Sequence, residues 1–132
     1  MSEKDSLEDL REQKKQDLVE NEQQADAPSE PIHVDGQQEL DEAVAEYDVV
    51  LTDFYADWCG PCKMLEPIVE SLAAETDAAV AKVDVDANQR LAQQFSVQGV
   101  PTLVLFADGE QVEHMVGLQQ EEALAGKIEQ YS

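Results

Sequence analysis

The chain has 132 residues, enough for one domain with a modest core and some residues to spare. It carries 30 acidic and 8 basic residues, a formal net charge of −22. Residues 32–132 alone hold 20 of the acids against 4 basic residues, a formal −16, so the acidity is not confined to one end. This argues against a nucleic-acid or anionic-membrane surface, both of which need a basic face. No apolar run approaches the ~20 residues of a bilayer-spanning helix. The opening residues, Met1 to Asp5, do not read as the apolar part of a secretion signal, so a cytoplasmic location is expected. Such an acidic, lysine-poor composition suits a salt-rich cytoplasm, the plain alternative being an ordinary acidic protein.

Residues 1–31 read as an acidic N-terminal extension. They are polar, lack aromatic residues and end in Ala27-Pro28-Ser29-Glu30-Pro31. Leu7, Leu10, Leu18 and Val19 make only a sparse helical stripe, too little apolar surface to hold a helix alone. A disordered or transiently helical segment is expected, with a partner-binding helix as the alternative.

From residue 32 onward, strand and helix patterns alternate. Ile32 to Val34 predicts a short strand. Gln37 to Glu46 predicts a helix with Leu40 and Val44 inward, joined by Ala43 and Tyr47. Val49 to Tyr55 reads as a buried strand. Cys59 to Glu75 reads as a long helix with Pro61 in its first turn, where a missing N–H does no harm, and Pro67 inside it, where a kink is expected. Ala79 to Val85 is the next strand and Ala87 to Phe95 the next helix. Thr102 to Ala107 and Gln111 to Val116 are strands joined at Asp108-Gly109, a strong hairpin signal. Gln120 to Tyr131 closes the chain with a helix that Gly126 weakens. This order predicts a mixed sheet with helices on both faces, parallel at first and antiparallel in the final hairpin.

The chemistry lies at the turn between the buried strand and the long helix. Trp58-Cys59-Gly60-Pro61-Cys62 contains the only two cysteines of the chain. Two intervening residues let the sulfurs meet within one turn, and a helix N-terminus favours a thiolate. Attack by that thiolate on a partner's disulfide is the expected reaction. A zinc site would need more ligands than this pair, and His33 and His114 are lone and distant in sequence, so no metal is expected. A static cross-link would close so short a loop that it would be a poor staple.

At these residues the chain resembles the thioredoxin family. Asp53 to Lys63 looks like the family's active-site strand and turn, and Pro67 stands where its helix kinks. Lys82 to Asp86 resembles the third strand and its exit, and Gly99-Val100-Pro101-Thr102 the loop with the cis-proline. Phe106 to Gly109 and Gly117 resemble the closing hairpin and the glycine after it. The likeness covers residues 32–132. It implies a thioredoxin fold, an α/β architecture in which a central mixed five-stranded sheet of order 1-3-2-4-5 is flanked by four helices. It also implies reduction of protein disulfides, recycling by a reductase or equivalent electron donor, a monomer, and no cofactor beyond the Cys59–Cys62 pair. With the charge, it suits a halophilic archaeon.

On this reading Cys59 is the nucleophile and the more exposed sulfur, and Cys62 the buried resolving thiol. Asp53 corresponds to the family's buried acid, raised in pKa and able to take a proton. Lys82 resembles the lysine beside that acid, a solvated strand-end lysine being the alternative. Trp58, Gly60, Pro61, Val100, Pro101 and Gly117 would form the docking surface for disulfide-containing targets. Trp58 as a plain core aromatic is the alternative to that role. Gly60-Pro61 is the pattern of the reducing members. A non-catalytic scaffold and an oxidase or isomerase are the other readings of the chain.

Overall fold

The computed structural model describes residues 26–132. The expected extension lies outside the described residues as far as residue 25. Elements follow in the order β1 (Ile32–His33), α1 (Gly36–Glu46), β2 (Val49–Tyr55), α2 (Gly60–Glu75), β3 (Ala79–Asp84), α3 (Gln89–Gln94), β4 (Thr102–Ala107), β5 (Glu110–Val116) and α4 (Glu121–Tyr131). The five strands form one sheet of order β1-β3-β2-β4-β5. β3 pairs in parallel with β1 and β2, while β4 is antiparallel to β2 and β5. This is the mixed sheet that the pattern predicts.

Alternation along β2 sorts the core into two layers. Val49 and Leu51 point to one face and pack with Leu65, Val69 and Leu72 of α2 and Leu124 and Ile128 of α4. Val50 and Phe54 point to the other and pack with Leu40 of α1, Leu91 of α3 and Phe106 of β4. Phe95, just beyond α3, stacks between Phe54 and Phe106, edge-on to the latter. Ala27 packs against this second layer.

Two shifted element starts have clear local reasons. Cys59 is the N-cap of α2 and not its first residue, because its backbone is still extended there. The helix expected from Ala87 begins only at Gln89, because Val85 to Ala87 forms a turn. Asn88 closes that turn: its amide donates to the Asp84 carbonyl at 3.0 Å and its Oδ1 accepts from the Gly36 N–H at 2.8 Å. At the hairpin, Asp108 and Gly109 both take positive φ, 52° and 85°, the turn geometry that matches strand twist. Beyond it the register of β4 with β5 steps from Glu113 to Gln111, leaving Val112 as a bulge.

Leu105 lies fully buried at the centre of β4, in the layer under α2 and α4. Leu105→Ala is expected to destabilise the protein by about 3 kcal/mol through lost burial and the cavity left behind. Urea unfolding measures it, with an unchanged denaturant slope showing that the fold itself is kept.

Candidate functional site

The site begins where β2 stops. Beyond Tyr55 the chain turns through Ala56 to Trp58, and Cys59 caps α2. Its sulfur accepts the Cys62 N–H at 3.1 Å, so it satisfies one of the free amides of the helix start. Cys59 and Cys62 are joined as a disulfide. The Val100 carbonyl oxygen lies 3.6 Å from Cys59 Sγ. A disulfide sulfur carries no proton, so this is a contact in the oxidised protein and a place where a thiol could donate in the reduced one.

The expected difference in exposure between the sulfurs is not found. Cys59 is 4% exposed and Cys62 3%. Both sit with Ala56 in a small cluster covered by Tyr55, Val85 and Val100. To reach Cys62, the Cys59 side chain folds inward beneath the loop that carries Val100.

That loop contains the cis peptide bond Val100–Pro101. Pro101 is buried rather than exposed. Its carbonyl accepts the Gly117 N–H at 2.8 Å, and Gly117 holds a φ of 91°, open to glycine at little cost. The other expected docking residues reach the surface. Trp58 is 70% exposed, Gly60 and Pro61 are exposed, and Val100 and Gly117 are half-buried. The indole N–H of Trp58 donates to Asp86 Oδ2 at 2.9 Å, which fixes the ring at the rim. Met64, Val116 and Leu118 add exposed apolar surface.

Asp53 lies on the α2 side of β2, since it alternates with Leu51 and Val49. It is 1% exposed, and neither carboxylate oxygen has a hydrogen-bond partner among the described residues. Burial pushes its carboxyl up to about 7; the Lys82 ammonium pulls the other way and the Glu66 carboxylate adds to the rise. Lys82 is the register partner of Asp53 on β3. Its Nζ lies 4.5 Å from the centre of the Tyr55 ring and 3.8 Å from Glu66 Oε2. Lys82 is therefore no solvated strand-end lysine: its side chain is 11% exposed. Tyr55 is also raised, by burial first and then by the carboxylates of Asp84, Asp57, Asp53 and Glu66.

Sequence reasoning missed Glu66 and Asp86. Glu66 follows Cys62 by one helical turn, and that spacing could have marked it. Asp86 could be read only as part of the exit from β3. Among the described residues, no group of three or more His, Cys, Asp or Glu side chains could hold a metal ion, and no helix is long and apolar enough to cross a membrane.

Comparison with known proteins agrees with this geometry. The profile of the family described as Thioredoxin matches residues 31–130. Thioredoxin of Chlamydia trachomatis is 45% identical over 101 residues, covering 76% of this chain and 98% of that protein. Thioredoxin of Mycobacterium tuberculosis is 52% identical over 81 residues, 60% of this chain and 70% of that one. Among solved structures, a mutant thioredoxin from Halobacterium salinarum NRC-1 superposes with a TM-score of 0.79 at 66% identity, covering 81% of this chain and 95% of its own. Schistosoma mansoni thioredoxin superposes at 0.72 with 29% identity, over 80% and 99% of the two chains. The chain belongs to the thioredoxin family and is a thiol-disulfide oxidoreductase, a protein-disulfide reductase whose working group is the Cys59–Cys62 pair.

Proposed function

We propose that this protein reduces target disulfides in two steps, with Cys59 as nucleophile, Cys62 as resolving thiol and Asp53 as proton acceptor. The observation that carries the reading is a disulfide at a helix N-cap, backed by a helix whose sheet-facing side covers an unpartnered carboxylate. In the reduced protein, the Cys59 thiolate attacks one sulfur of the target disulfide. That bond breaks, a Cys59–target bond forms, and the other target sulfur leaves as a thiolate that takes up a proton. Cys62 then gives its proton to the Asp53 carboxylate and attacks Cys59 Sγ. The Cys59–target bond breaks, the Cys59–Cys62 disulfide forms, and the target's second sulfur leaves. Two electrons pass to the target, and a reductase or equivalent donor restores the dithiol.

With both sulfurs equally covered in the disulfide, the case for Cys59 rests on its cap position. A sulfur there receives an amide N–H and the positive end of the helix dipole, both of which favour a thiolate. Cys62 sits one turn inside. Lys82 tunes Asp53. Trp58, Gly60, Pro61, Val100 and Gly117 receive the target beside the disulfide, and Pro101 shapes the loop from beneath. An extended target segment can pair with the free backbone there, as in strand addition. We read residues 1–31 as an extension and 32–132 as the domain that does the chemistry, acting as a monomer without a cofactor. The −22 net charge and the 66% identity to a Halobacterium protein support a salt-rich archaeal cytoplasm as its place of work.

Trapping experiments test the sulfur roles. Cys62→Ser is expected to accumulate mixed disulfides with targets and Cys59→Ser none, read on non-reducing gels. Adducts formed only by Cys59→Ser would reverse the assignment.

Asp53 makes stability depend on pH. Its carboxyl titrates near 3.8 when unfolded and about 7 when folded, so between these values the folded state binds more protons. Stability contributed by the neutral acid is then full below about pH 4 and is lost as pH rises to about 7. Asp53→Asn keeps the neutral form. It is expected to melt higher than the parent at pH 7.5, by on the order of 3 kcal/mol, with the gap closing towards pH 4. It is also expected to reduce insulin disulfides more slowly. Melting curves across this range and an insulin turbidity assay measure both, and a gap independent of pH would remove the raised carboxyl.

Salt tests the setting. The excess of like charge in residues 32–132 opposes the compact state, and its screening length falls from ~8 Å at physiological ionic strength to ~3 Å at 1 M. The melting midpoint is expected to rise by about 5–10 °C between 0.1 and 2 M KCl at fixed pH, the size of a gain of about 1–2 kcal/mol. A flat or falling midpoint would leave an acidic protein with no adaptation to salt.

A further inference from the structure

Lys82 stands between two carboxylates held by different elements. Asp53 neighbours it in register from β2, and Glu66 reaches it from α2 at 3.8 Å. The three groups run from interior to water. Asp53 is covered, the Lys82 side chain is 11% exposed, and that of Glu66 is 48% exposed. The ammonium is paired with the outer acid, while the inner one has no hydrogen-bond partner among the described residues. Burial strengthens a charge pair, so a buried acid would normally hold such a cation. The contact with the Tyr55 ring, 4.5 Å away, helps keep the lysine along this path.

We propose that Glu66 is a positioning residue for the thiol chemistry: it holds the Lys82 ammonium towards solvent, so that this cation does not pair with Asp53 and the carboxylate is free to take up the Cys62 proton. The inference rests on the reading of Asp53 as that acceptor. Among the described residues the groups around Asp53 are few. β2 contributes Tyr55, β3 contributes Lys82, α2 contributes Glu66, and on β4 the register partner is the apolar Leu103, while Asp84 and Asp57 act on the neighbouring Tyr55. On its outer side Lys82 lines a cavity together with Glu30, His33 and Glu70, the titratable groups there among the described residues. Among the described residues Lys82 is the one cation acting on Asp53, so which carboxylate holds it sets how readily Asp53 ionises. If Glu66 loses its charge, the ammonium loses its outer partner and can turn to Asp53, its register neighbour, where it stabilises the ionised form. Asp53 then becomes a weaker base for Cys62.

The test uses the full chain in its oxidised form and follows the Asp53 carboxyl by NMR titration. Glu66→Gln is expected to lower its midpoint by about half a pH unit, and Glu66→Asp to restore most of that. Because Glu66 is half exposed, neither change threatens the fold. Direct repulsion between Glu66 and Asp53 would give a shift of the same sign, so the measurement is repeated with Lys82→Met. There the shift caused by Glu66→Gln is expected to fall by more than half. The pH profile of insulin reduction is expected to move in parallel with the midpoint. An unchanged or raised midpoint overturns the inference, as does a shift undiminished by Lys82→Met. If Asp53→Asn reduces insulin at the parent rate, the proton-acceptor reading falls, while the titrations still decide whether Glu66 holds the lysine.

Discussion

Strand β2 is the constraint from which the rest follows. It lies between β3 and β4 and beneath helices on both faces, with six of its seven residues buried. A strand so placed must be apolar, and Val49, Val50, Leu51 and Phe54 meet that demand. Asp53 does not. A carboxylate there is buried and has gained no hydrogen bond among the described residues, so its neutral form is favoured. The same strand fixes where α2 begins, and so where the sulfurs are. Core, acid and disulfide are thus successive consequences of one buried segment.

The site is built by combining two unfavourable placements with cheap local devices. Burying Asp53 costs stability, and leaving apolar side chains such as Trp58 and Met64 in water forgoes burial. Against these stand bonds that need no special sequence. The Cys59 sulfur caps a helix, Asp86 holds the indole, and the Pro101 carbonyl ties down Gly117. The first fixes the helix start that carries the sulfurs, and the other two tie walls of the site to the segments just beyond β3 and β5. The apolar surface around the disulfide is therefore held by rigid elements, preorganised as a binding surface would need to be.

Much of this was legible in the sequence, for reasons tied to particular residues. Val49 to Tyr55 is too apolar and too short to be anything but an inner strand. Asp108-Gly109 between two alternating runs leaves little choice of turn, and Pro61 two residues after Cys59 marks a helix start. What was not legible depends on residues distant in sequence. Asp86 meets Trp58 across 28 positions, and Val100 covers Cys59 across 41. The equal burial of the two sulfurs follows from that second contact, so local pattern predicted the opposite. The late start of α3 depends on Asn88 bonding Gly36 across 52 positions. The cis bond before Pro101 came from family resemblance alone, since its neighbouring residues do not distinguish cis from trans.

The bulge at Val112 bears on something other than catalysis. A sheet has two edges, and each is an open row of amides and carbonyls that another chain could join. One edge here is β1, only two residues long. The other is β5, where the exposed acidic side chain of Glu110 would help keep a second copy away in dilute buffer, Glu113 being paired with Lys127 at 3.5 Å. In molar salt that protection shrinks to contact range. The bulge is insensitive to salt: it bends β5 and breaks the even spacing of its free amides. Val112 also packs with its partly buried neighbours against the core instead of adding to the sticky rim. Wherever salt screens charge, a sheet edge has to be guarded by shape, and this chain guards one edge by shortness and the other by irregularity.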